Sequence, residues 1–132
     1  MSTDIAANKR LVERYFERQR AGDMLGALDL MADDATWTVP GEWEMAGVFS
    51  KADLVKMLGE LNQFDGGLHF AHHSVTAEEN RVAVLTQVTG KLTDGRVYTN
   101  TIFFLFLVDG DKFSAVIEAP DSAKSRKFWL GL

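Results

Sequence analysis

The strongest constraint on the fold is a change of hydrophobic period halfway along the chain. After the turn sequence DGG at 65–67, the chain has four extended runs, at residues 68–76, 81–92, 97–108 and 113–119. The segments AEEN, TDGR and DGD separate these runs, and each has the composition of a tight hairpin turn. The second half therefore predicts a meander of long antiparallel strands.

The first half has the spacing of helices. A stripe with helical spacing consists of Ile5, Asn8, Val12, Tyr15, Phe16 and Gln19. The polar residues 2–4 supply candidate N-caps, and Gly22 fits a left-handed stop. Asp23 can cap a second, short helix, and the capping-box sequence SKAD at 50–53 can open a third. We therefore expect three helices before the meander.

One strand is expected between the second and third helices. DDATWTV alternates apolar and polar residues and is closed by Pro40-Gly41, whereas the following GEWEMAGVF is interpreted as a loop. Helices followed by a meander are typical of an α+β domain, with the helices packed on one face of the sheet. No repeat or linker divides the 132 residues, so we expect one domain over residues 1–132, with residues 122–132 as a C-terminal tail.

Composition bears on the partners and the compartment. The net charge is −5, from 14 Lys and Arg against 19 Asp and Glu, which disfavours nucleic acid as a partner. The longest apolar run, Ile102 to Val108, is too short to span a membrane. The absence of cysteine excludes disulfides and zinc–thiolate sites. With no signal-peptide pattern at the N-terminus, we expect a cytoplasmic protein with neither a nucleic-acid nor a membrane partner.

The extended run 97–108 is apolar on both faces. Phe104 lies at one parity and Phe103 at the other, each among further apolar residues. Helices can cover only one of these faces, so the other is expected to meet a second copy of the chain. The sequence thus predicts a homodimer through the sheet face.

Two long stretches resemble the NTF2-like superfamily, in particular its SnoaL-like and ketosteroid-isomerase-like members: VERYFERQRAGDMLGALDLMADDATWTVPG and TDGRVYTNTIFFLFLVDGDKFSAVIEAPDSA. The resemblance covers residues 5–123. It implies a cone-shaped half-barrel, also called cystatin-like, in which a curved antiparallel sheet wraps around three N-terminal helices. A largely apolar pocket between sheet and helices is part of this expectation.

The resemblance also implies residues for the pocket wall. We expect the wall to include Trp37, Val39, Trp43, Phe49, Met57, Phe64, His73, Phe104 and Glu118. For each of the aromatic residues, plain core packing is the alternative interpretation.

The ketosteroid isomerase pattern is incomplete in this chain. Its tyrosine corresponds to Tyr15, which is present, but its base position is Val39 and its acid-donor position is most simply Phe103. That reaction needs a carboxylate base and a carboxylic acid donor. We therefore expect no steroid isomerisation by the usual route.

Polyketide cyclases of the SnoaL type keep an aspartate at the end of the last long strand, and the resemblance places Asp121 there. Asp121 would act as acid or base, with Tyr15 and Asn100 orienting a substrate oxygen. The alternative is that Asp121 caps the turn or helix that follows it. In a regular strand, Glu118 and Asp121 would point to opposite faces. A bulge at Pro120 could nevertheless bring both carboxylates into one site.

The sequence HFAHHS offers His69, His72 and His73, with the first and last on one face of a strand and the middle one on the other. A pocket histidine would complete an acid–base pair, and a position at a sheet edge or dimer face is the alternative. No carboxylate lies at ligand spacing, so we expect no metal site.

Two functions follow from the resemblance. The first is a cofactor-independent enzyme performing proton-transfer chemistry of cyclase, isomerase or dehydratase type on a hydrophobic metabolite. The second is a non-catalytic ligand-binding or dimeric scaffold domain. Fold alone does not decide between them.

Overall fold

The computed structural model describes residues 4–61 and 63–132, with only the backbone described for residues 59–61. The α+β class expected from the sequence is confirmed. The elements follow in the order α1 (Ile5–Arg20), α2 (Met24–Leu28), β1 (Met31–Val39), β2 (Gly47–Ser50), α3 (Lys51–Leu61), β3 (His69–Glu78), β4 (Arg81–Lys91), β5 (Val97–Asp109), β6 (Lys112–Pro120) and α4 (Ser122–Leu130).

The strands form one six-stranded sheet in the order β2-β1-β6-β5-β4-β3. Strands β3 to β6 make the expected antiparallel meander, but β1 runs parallel to β6, so the sheet is mixed. The curved sheet, expected to be antiparallel, thus contains one parallel pair. Strand β2 was expected to be loop, and it is ordered by antiparallel pairing with β1, in which Trp37 lies opposite Phe49.

Side-chain caps fix the starts of the first three helices as the sequence predicted. Asp4 accepts a hydrogen bond from the Ala7 amide at 3.1 Å, and Asp23 accepts one from the Gly26 amide at 2.9 Å. The capping box at 50–53 has two reciprocal hydrogen bonds. The Asp53 amide donates to the Ser50 hydroxyl at 3.0 Å, and the Ser50 amide donates to the Asp53 carboxylate at 2.9 Å. The other candidate caps, at 2–3, lie outside the described residues.

The core lies between α1 and the concave face of the sheet. Phe16 is fully buried and makes edge-to-face contacts with Phe70 of β3 and Phe106 of β5, with ring centroids 4.8 and 5.8 Å apart. Aromatic pairs in this arrangement add stability beyond their buried area. This packing fixes α1 across the sheet and leaves a cavity toward the Trp37 end of β1.

Residues 122–130, expected to belong to a tail, form helix α4. Asp121 caps the helix by accepting a hydrogen bond from the Lys124 amide at 3.1 Å, and Gly131 ends it in the left-handed region at φ 71°. Trp129 packs on Tyr98 of β5 and on Phe64, with ring centroids 5.1 and 5.8 Å apart. A fourth helix thus closes the end of the sheet.

None of the helices among the described residues combines the length and the apolar character that a membrane span requires.

Candidate functional site

A cavity of about 460 Å³ lies between the sheet, α1, α3 and α4. Its wall is mainly apolar, with few polar groups, as is usual for small-molecule sites. The lining residues are Tyr15, Gln19, Met24, Leu28, Trp37, Val39, Trp43, Met45, Phe49, Leu54, Met57, Leu58, Gln63, Phe64, Leu68, Phe70, Val88, Arg96, Tyr98, Ile102, Phe104, Glu118, Pro120, Ser125, Trp129 and Leu130.

Glu118 reaches the cavity because of an irregularity in β6. Val108 pairs with Phe113, but Leu107 pairs with Ala115, so the register shifts by one residue around Ser114. A bulge reverses which side chains face inward after it. Beyond the bulge, Glu118 faces the cavity, opposite Phe104 of β5.

The Glu118 carboxyl lies among apolar side chains with one hydrogen-bond donor from β1. Trp37 Nε1 donates to Oε1 at 3.3 Å. Burial raises the pKa of Glu118 from its usual 4.5 to about 7, and the hydrogen bond from Trp37 acts in the opposite direction. Near neutral pH the carboxyl is therefore present in both protonation states.

Tyr15 and Gln19 place two further polar groups in the cavity from one face of α1. They are four residues apart, so they are neighbours on the helix surface, and Gln19 Nε2 donates to the Tyr15 hydroxyl at 3.0 Å. Burial, with a smaller effect of the Glu118 charge, raises the pKa of Tyr15 above its usual value. Tyr15 is therefore a neutral phenol at physiological pH and can donate its hydroxyl proton in a hydrogen bond.

A loop covers one side of the cavity. Trp43 and Met45 line the cavity from residues 41–46, and the loop begins at Gly41, whose φ of 110° favours glycine. Glu44 ties the loop to α4 because both its carboxylate oxygens accept from Arg126 Nε, at 2.8 and 3.0 Å. The loop and α4 together close over the apolar wall.

Comparison with known proteins identifies the family. The SnoaL-like domain family matches residues 12–116, which is most of the chain. The chain belongs to the SnoaL-like domain family. It is a member of the NTF2-like superfamily, as the sequence resemblance indicated.

Solved structures of the same fold are numerous. AclR from Streptomyces galilaeus is 20% identical, with a TM-score of 0.79 over 98% of this chain and 99% of that chain. TerC, co-crystallised with polyporic acid, is 18% identical, with a TM-score of 0.75 over 92% of this chain and 96% of that one. An NTF2-like protein from Burkholderia xenovorans LB400 is 24% identical, with a TM-score of 0.70 over 93% and 95%. Identities this low show the fold alone. The comparison with curated proteins gave no match.

Most of the residues that the sequence placed in the pocket wall line this cavity, and their contact with a ligand stays a prediction. The residues of that set that line the cavity of this SnoaL-like domain are Trp37, Val39, Trp43, Phe49, Met57, Phe64, Phe104 and Glu118, together with Tyr15.

The placement of Asp121 at the cavity is wrong. Its side chain is exposed and accepts from the Lys124 amide, so Asp121 caps α4 and does not line the cavity. Three residues after Glu118, the chain has left β6 and turned into the helix, which carries the Asp121 carboxyl away from the cavity. Glu118 and Asp121 therefore do not share one site.

The placement of Asn100 at the cavity is also wrong, because its amide is used within the fold. Asn100 is 1% exposed and its Nδ2 donates to Ser125 Oγ at 2.8 Å and to the Tyr98 hydroxyl at 2.9 Å. Its Oδ1 accepts from the Asp121 amide at 3.0 Å. Asn100 thus joins β5 to the start of α4 and does not line the cavity.

The histidines of β3 lie away from the cavity. His73 sits at the register shift between His72 and Ser74, is exposed and does not line the cavity, so its expected place in the cavity wall is wrong. His69 is also exposed and does not line the cavity. His72 is partly buried against α1, where its Nδ1 lies 2.8 Å from Thr86 Oγ1. The described side chains contain no group of three His, Cys, Asp or Glu residues that could hold a metal ion.

Phe103, proposed from the resemblance as the acid-donor position, lies on the outer face of β5 and is 60% exposed. The side chains that β5 directs into the cavity at this level are Ile102 and Phe104. Phe103 therefore cannot stand at the acid-donor position. Ile102 and Phe104, which do face the cavity, are also apolar, so the carboxylic acid donor is still missing.

Gln19, Arg96 and Trp129 are among the cavity residues that sequence reasoning missed. Gln19 was identified only as part of the helical pattern, although its spacing of four residues from Tyr15 was a usable signal. Arg96 and Trp129 were assigned to a turn and to a tail. The last two reach the cavity because the hairpin and α4 fold back over the same end of the sheet, which no local pattern indicates.

Proposed function

We propose that the cavity binds a hydrophobic small molecule and that the protein is a cofactor-independent enzyme in which Glu118 transfers a proton on that molecule. The reaction would be of the cyclase, isomerase or dehydratase type. The observation that carries the proposal is the single carboxyl group of Glu118, hydrogen bonded to Trp37 and held inside a mainly apolar cavity. Its pKa of about 7 suits both halves of a proton-transfer cycle.

The proposed cycle is balanced within the cavity. Ionised Glu118 removes a proton from a carbon next to a carbonyl group. The electron pair of the broken C–H bond forms a C=C bond to the carbonyl carbon, and the π pair of the carbonyl group moves to its oxygen. The Tyr15 hydroxyl donates a hydrogen bond to that developing enolate oxygen. Glu118 then returns its proton to a different carbon of the same molecule, which regenerates the carboxylate.

Gln19 supports the role of Tyr15 in this scheme. Its Nε2 donates to the Tyr15 oxygen at 3.0 Å, which orients the phenol and leaves its O–H free to point to a ligand. Hydrogen bonds in such a chain strengthen one another. Tyr15 is thus proposed as the group that binds the substrate oxygen, in the role first assigned to Tyr15 and Asn100 together.

The substrate class follows from the wall. Trp37, Phe49 and Phe104 offer flat apolar surfaces suited to a ring compound that bears a carbonyl group. The co-crystal of the related TerC with polyporic acid supports a role in binding small molecules.

The proposal is tested by hydrogen–deuterium exchange at carbon. Cyclic ketones are incubated with protein in D₂O, and loss of the α-proton is followed by NMR. The wild type and the Asp121→Asn variant should both catalyse exchange, whereas Glu118→Gln should lower the rate by about a hundredfold or more. Full activity of Glu118→Gln, or loss of activity in Asp121→Asn alone, would rule out Glu118 as the proton carrier.

The second candidate is a non-catalytic ligand-binding domain. It is favoured by the scarcity of titratable groups among the described lining residues, where Glu118 has no histidine or second carboxyl beside it. In that case, ketones would bind the wild type and Glu118→Gln equally, with no exchange in either.

The proposal includes a homodimer through the outer face of the sheet and no nucleic-acid or membrane partner. Phe103 is exposed on the outer sheet face beside partly buried Leu105 and Leu107, which supports a homodimer through that face. The net charge of −5 supports the absence of a nucleic-acid partner. The absence of a membrane partner and the cytoplasmic location stay predictions.

A further inference from the structure

A positively charged side chain stands at the opening of the cavity. Arg96, in the turn between β4 and β5, is the one cationic residue among the described residues that line the cavity, and its side chain is 56% exposed. A side chain that lines a cavity and is also open to solvent lies at the rim. Both the surrounding water and a ligand in the cavity can therefore reach this charge.

The Arg96 guanidinium is held in place by its neighbours. Its Nε donates to Asp94 Oδ2 at 2.9 Å, and its Cζ lies 5.2 Å from the centre of the Phe128 ring. Phe128 in turn packs against Tyr98 and Trp129, with ring centroids 5.0 and 4.8 Å apart, and both of those residues line the cavity. The guanidinium is thus fixed beside the aromatic end of the cavity wall.

The fixed guanidinium has hydrogen-bond donors to spare. Asp94 is the one side chain that accepts a hydrogen bond from it among the residues that the structure describes, and this bond uses Nε. The terminal Nη groups therefore remain available to a ligand. Parallel N–H groups of this kind match the paired oxygens of a carboxylate.

The interior of the cavity is unsuited to an anion. Its wall is mainly apolar, and burial in such surroundings disfavours a charged group. Glu118, the carboxyl group inside the cavity, would also repel an anion whenever it is ionised. An acidic ligand would therefore place its ring inward and its charge at the rim, where Arg96 and water meet it.

We propose that Arg96 is a specificity-determining residue, and that the ligand is an apolar ring compound whose carboxylate Arg96 binds at the opening of the cavity. This inference rests on the proposed function in taking the same cavity as the ligand site. It does not require Glu118 to transfer a proton. For the proposed reaction, it narrows the substrate class to ring ketones that also carry an acidic group.

A pair of probes with the same shape tests the inference. 2-Naphthoate carries a carboxylate, whereas 2-naphthamide is neutral. In titration calorimetry, Arg96→Gln should weaken the binding of 2-naphthoate about fivefold, as expected for an exposed ion pair, and should change that of 2-naphthamide by less than about twofold. High salt should likewise weaken the binding of 2-naphthoate to the wild type. No loss of 2-naphthoate affinity in Arg96→Gln, or an equal loss for both probes, would overturn the proposal.

Further variants separate a specific contact from a general attraction. Arg96→Lys keeps the charge but loses the paired donors, so it should recover only part of the affinity for 2-naphthoate. Lys91→Gln is the matched control, because Lys91 is an exposed cation on the same hairpin that does not line the cavity, and it should leave the binding of both probes unchanged. A loss in Lys91→Gln as large as that in Arg96→Gln, or a wild type that does not bind 2-naphthoate, would also overturn the proposal.

The outcome separates this inference from the proposed function. A charge-dependent preference at Arg96 without α-proton exchange would leave Arg96 as a ligand-selecting residue and remove Glu118 as a proton carrier. Exchange without that preference would do the reverse.

Discussion

Trp37 Nε1 lies 3.3 Å from Glu118 Oε1 and joins the two strands of the only parallel pair in the described sheet. The two influences on the Glu118 carboxyl oppose each other. Burial disfavours the charged form and is the larger effect, while the indole N–H favours the charged form. Trp37 therefore limits how far the pKa of Glu118 rises.

Removing the Trp37 N–H should raise the pKa of Glu118 further. Trp37→Phe keeps an aromatic ring in the wall but removes the donor, so the pKa of Glu118 should rise above 7. The measurement is an NMR titration of the ¹³C-labelled glutamate carboxyl. Trp43→Phe is the matched control, because Trp43 Nε1 donates to the Pro40 carbonyl, and it should leave the titration unchanged. A lower pKa in Trp37→Phe would contradict this account.

The raised pKa of Glu118 makes stability depend on pH. The native state holds the proton up to about pH 7, whereas the unfolded chain loses it near 4.5. The native state is therefore destabilised progressively as the pH rises from about 4.5 to about 7, and the loss is complete above that range. The Glu118→Gln variant cannot ionise and should exceed the wild type in free energy of unfolding at pH 8 by at most about 3 kcal/mol.

Urea unfolding at pH 4 and pH 8 measures this difference. The two proteins should have similar stability at pH 4, where the glutamate is mostly protonated in both the native and the unfolded state. Asp121→Asn is the control, since asparagine caps a helix as well as aspartate and Glu118 is retained. An advantage of Glu118→Gln that is the same at both pH values would show that ionisation is not its cause.

Asn100 should prove structural and not catalytic. Asn100→Ala removes the hydrogen bonds that Asn100 makes with the Ser125 hydroxyl, the Tyr98 hydroxyl and the Asp121 amide in a buried region, so the free energy of unfolding should fall by on the order of 2–4 kcal/mol. Thr101→Ala, at the exposed neighbouring position, should change it by about 0.5 kcal/mol or less. Full stability of Asn100→Ala with loss of ligand binding would restore the role assigned from the sequence.

The sequence predicted the elements whose pattern is local. Helices α1 to α3 carry their own caps and apolar stripes, and β3 to β6 carry their own turns, so each could be found from its residues. Strand β2 could not, and helix α4 was anticipated only in the alternative that Asp121 caps a following turn or helix. β2 depends on pairing with β1, and α4 depends on Trp129 meeting Tyr98, a residue distant in the chain.

The choice between the two carboxylates failed for a similar reason. Strict alternation from Phe113 would place Ile117 inward and Glu118 outward. The register shift near Ser114 reverses this, and it arises in the pairing of β6 with β5. The family resemblance pointed to Asp121, but the side chain that reaches the cavity is that of Glu118. The three-dimensional structure was needed to choose between the two carboxylates.

The Glu44–Arg126 pair should control the loop that covers the cavity. Glu44→Gln removes the charge that ties residues 41–46 to α4, so amide exchange in this loop should become roughly several-fold faster. Global stability should hardly change, because exposed ion pairs contribute little. Hydrogen-exchange mass spectrometry measures both effects.

The matched control for this loop is Glu78→Gln. Glu78 pairs with Arg81 at 3.9 Å at the β3–β4 turn, so its loss should leave exchange in residues 41–46 unchanged. Raising the salt concentration should reproduce the effect of Glu44→Gln in the wild type, because both weaken an exposed attraction. Loop exchange that is insensitive to both would show that the apolar contacts of Trp43 and Met45 alone hold the loop.

The exposed apolar side chains of the outer sheet face predict self-association. Phe103 is 60% exposed, so Phe103→Glu should convert a homodimer into monomers by placing a charge inside the contact. Sedimentation velocity measures the change. Leu25→Glu is the control, since Leu25 is 57% exposed on α2, away from the outer face of the sheet, and should leave the assembly intact. A wild type that sediments as a monomer, or dissociation caused by Leu25→Glu but not by Phe103→Glu, would show that the outer face is not the interface.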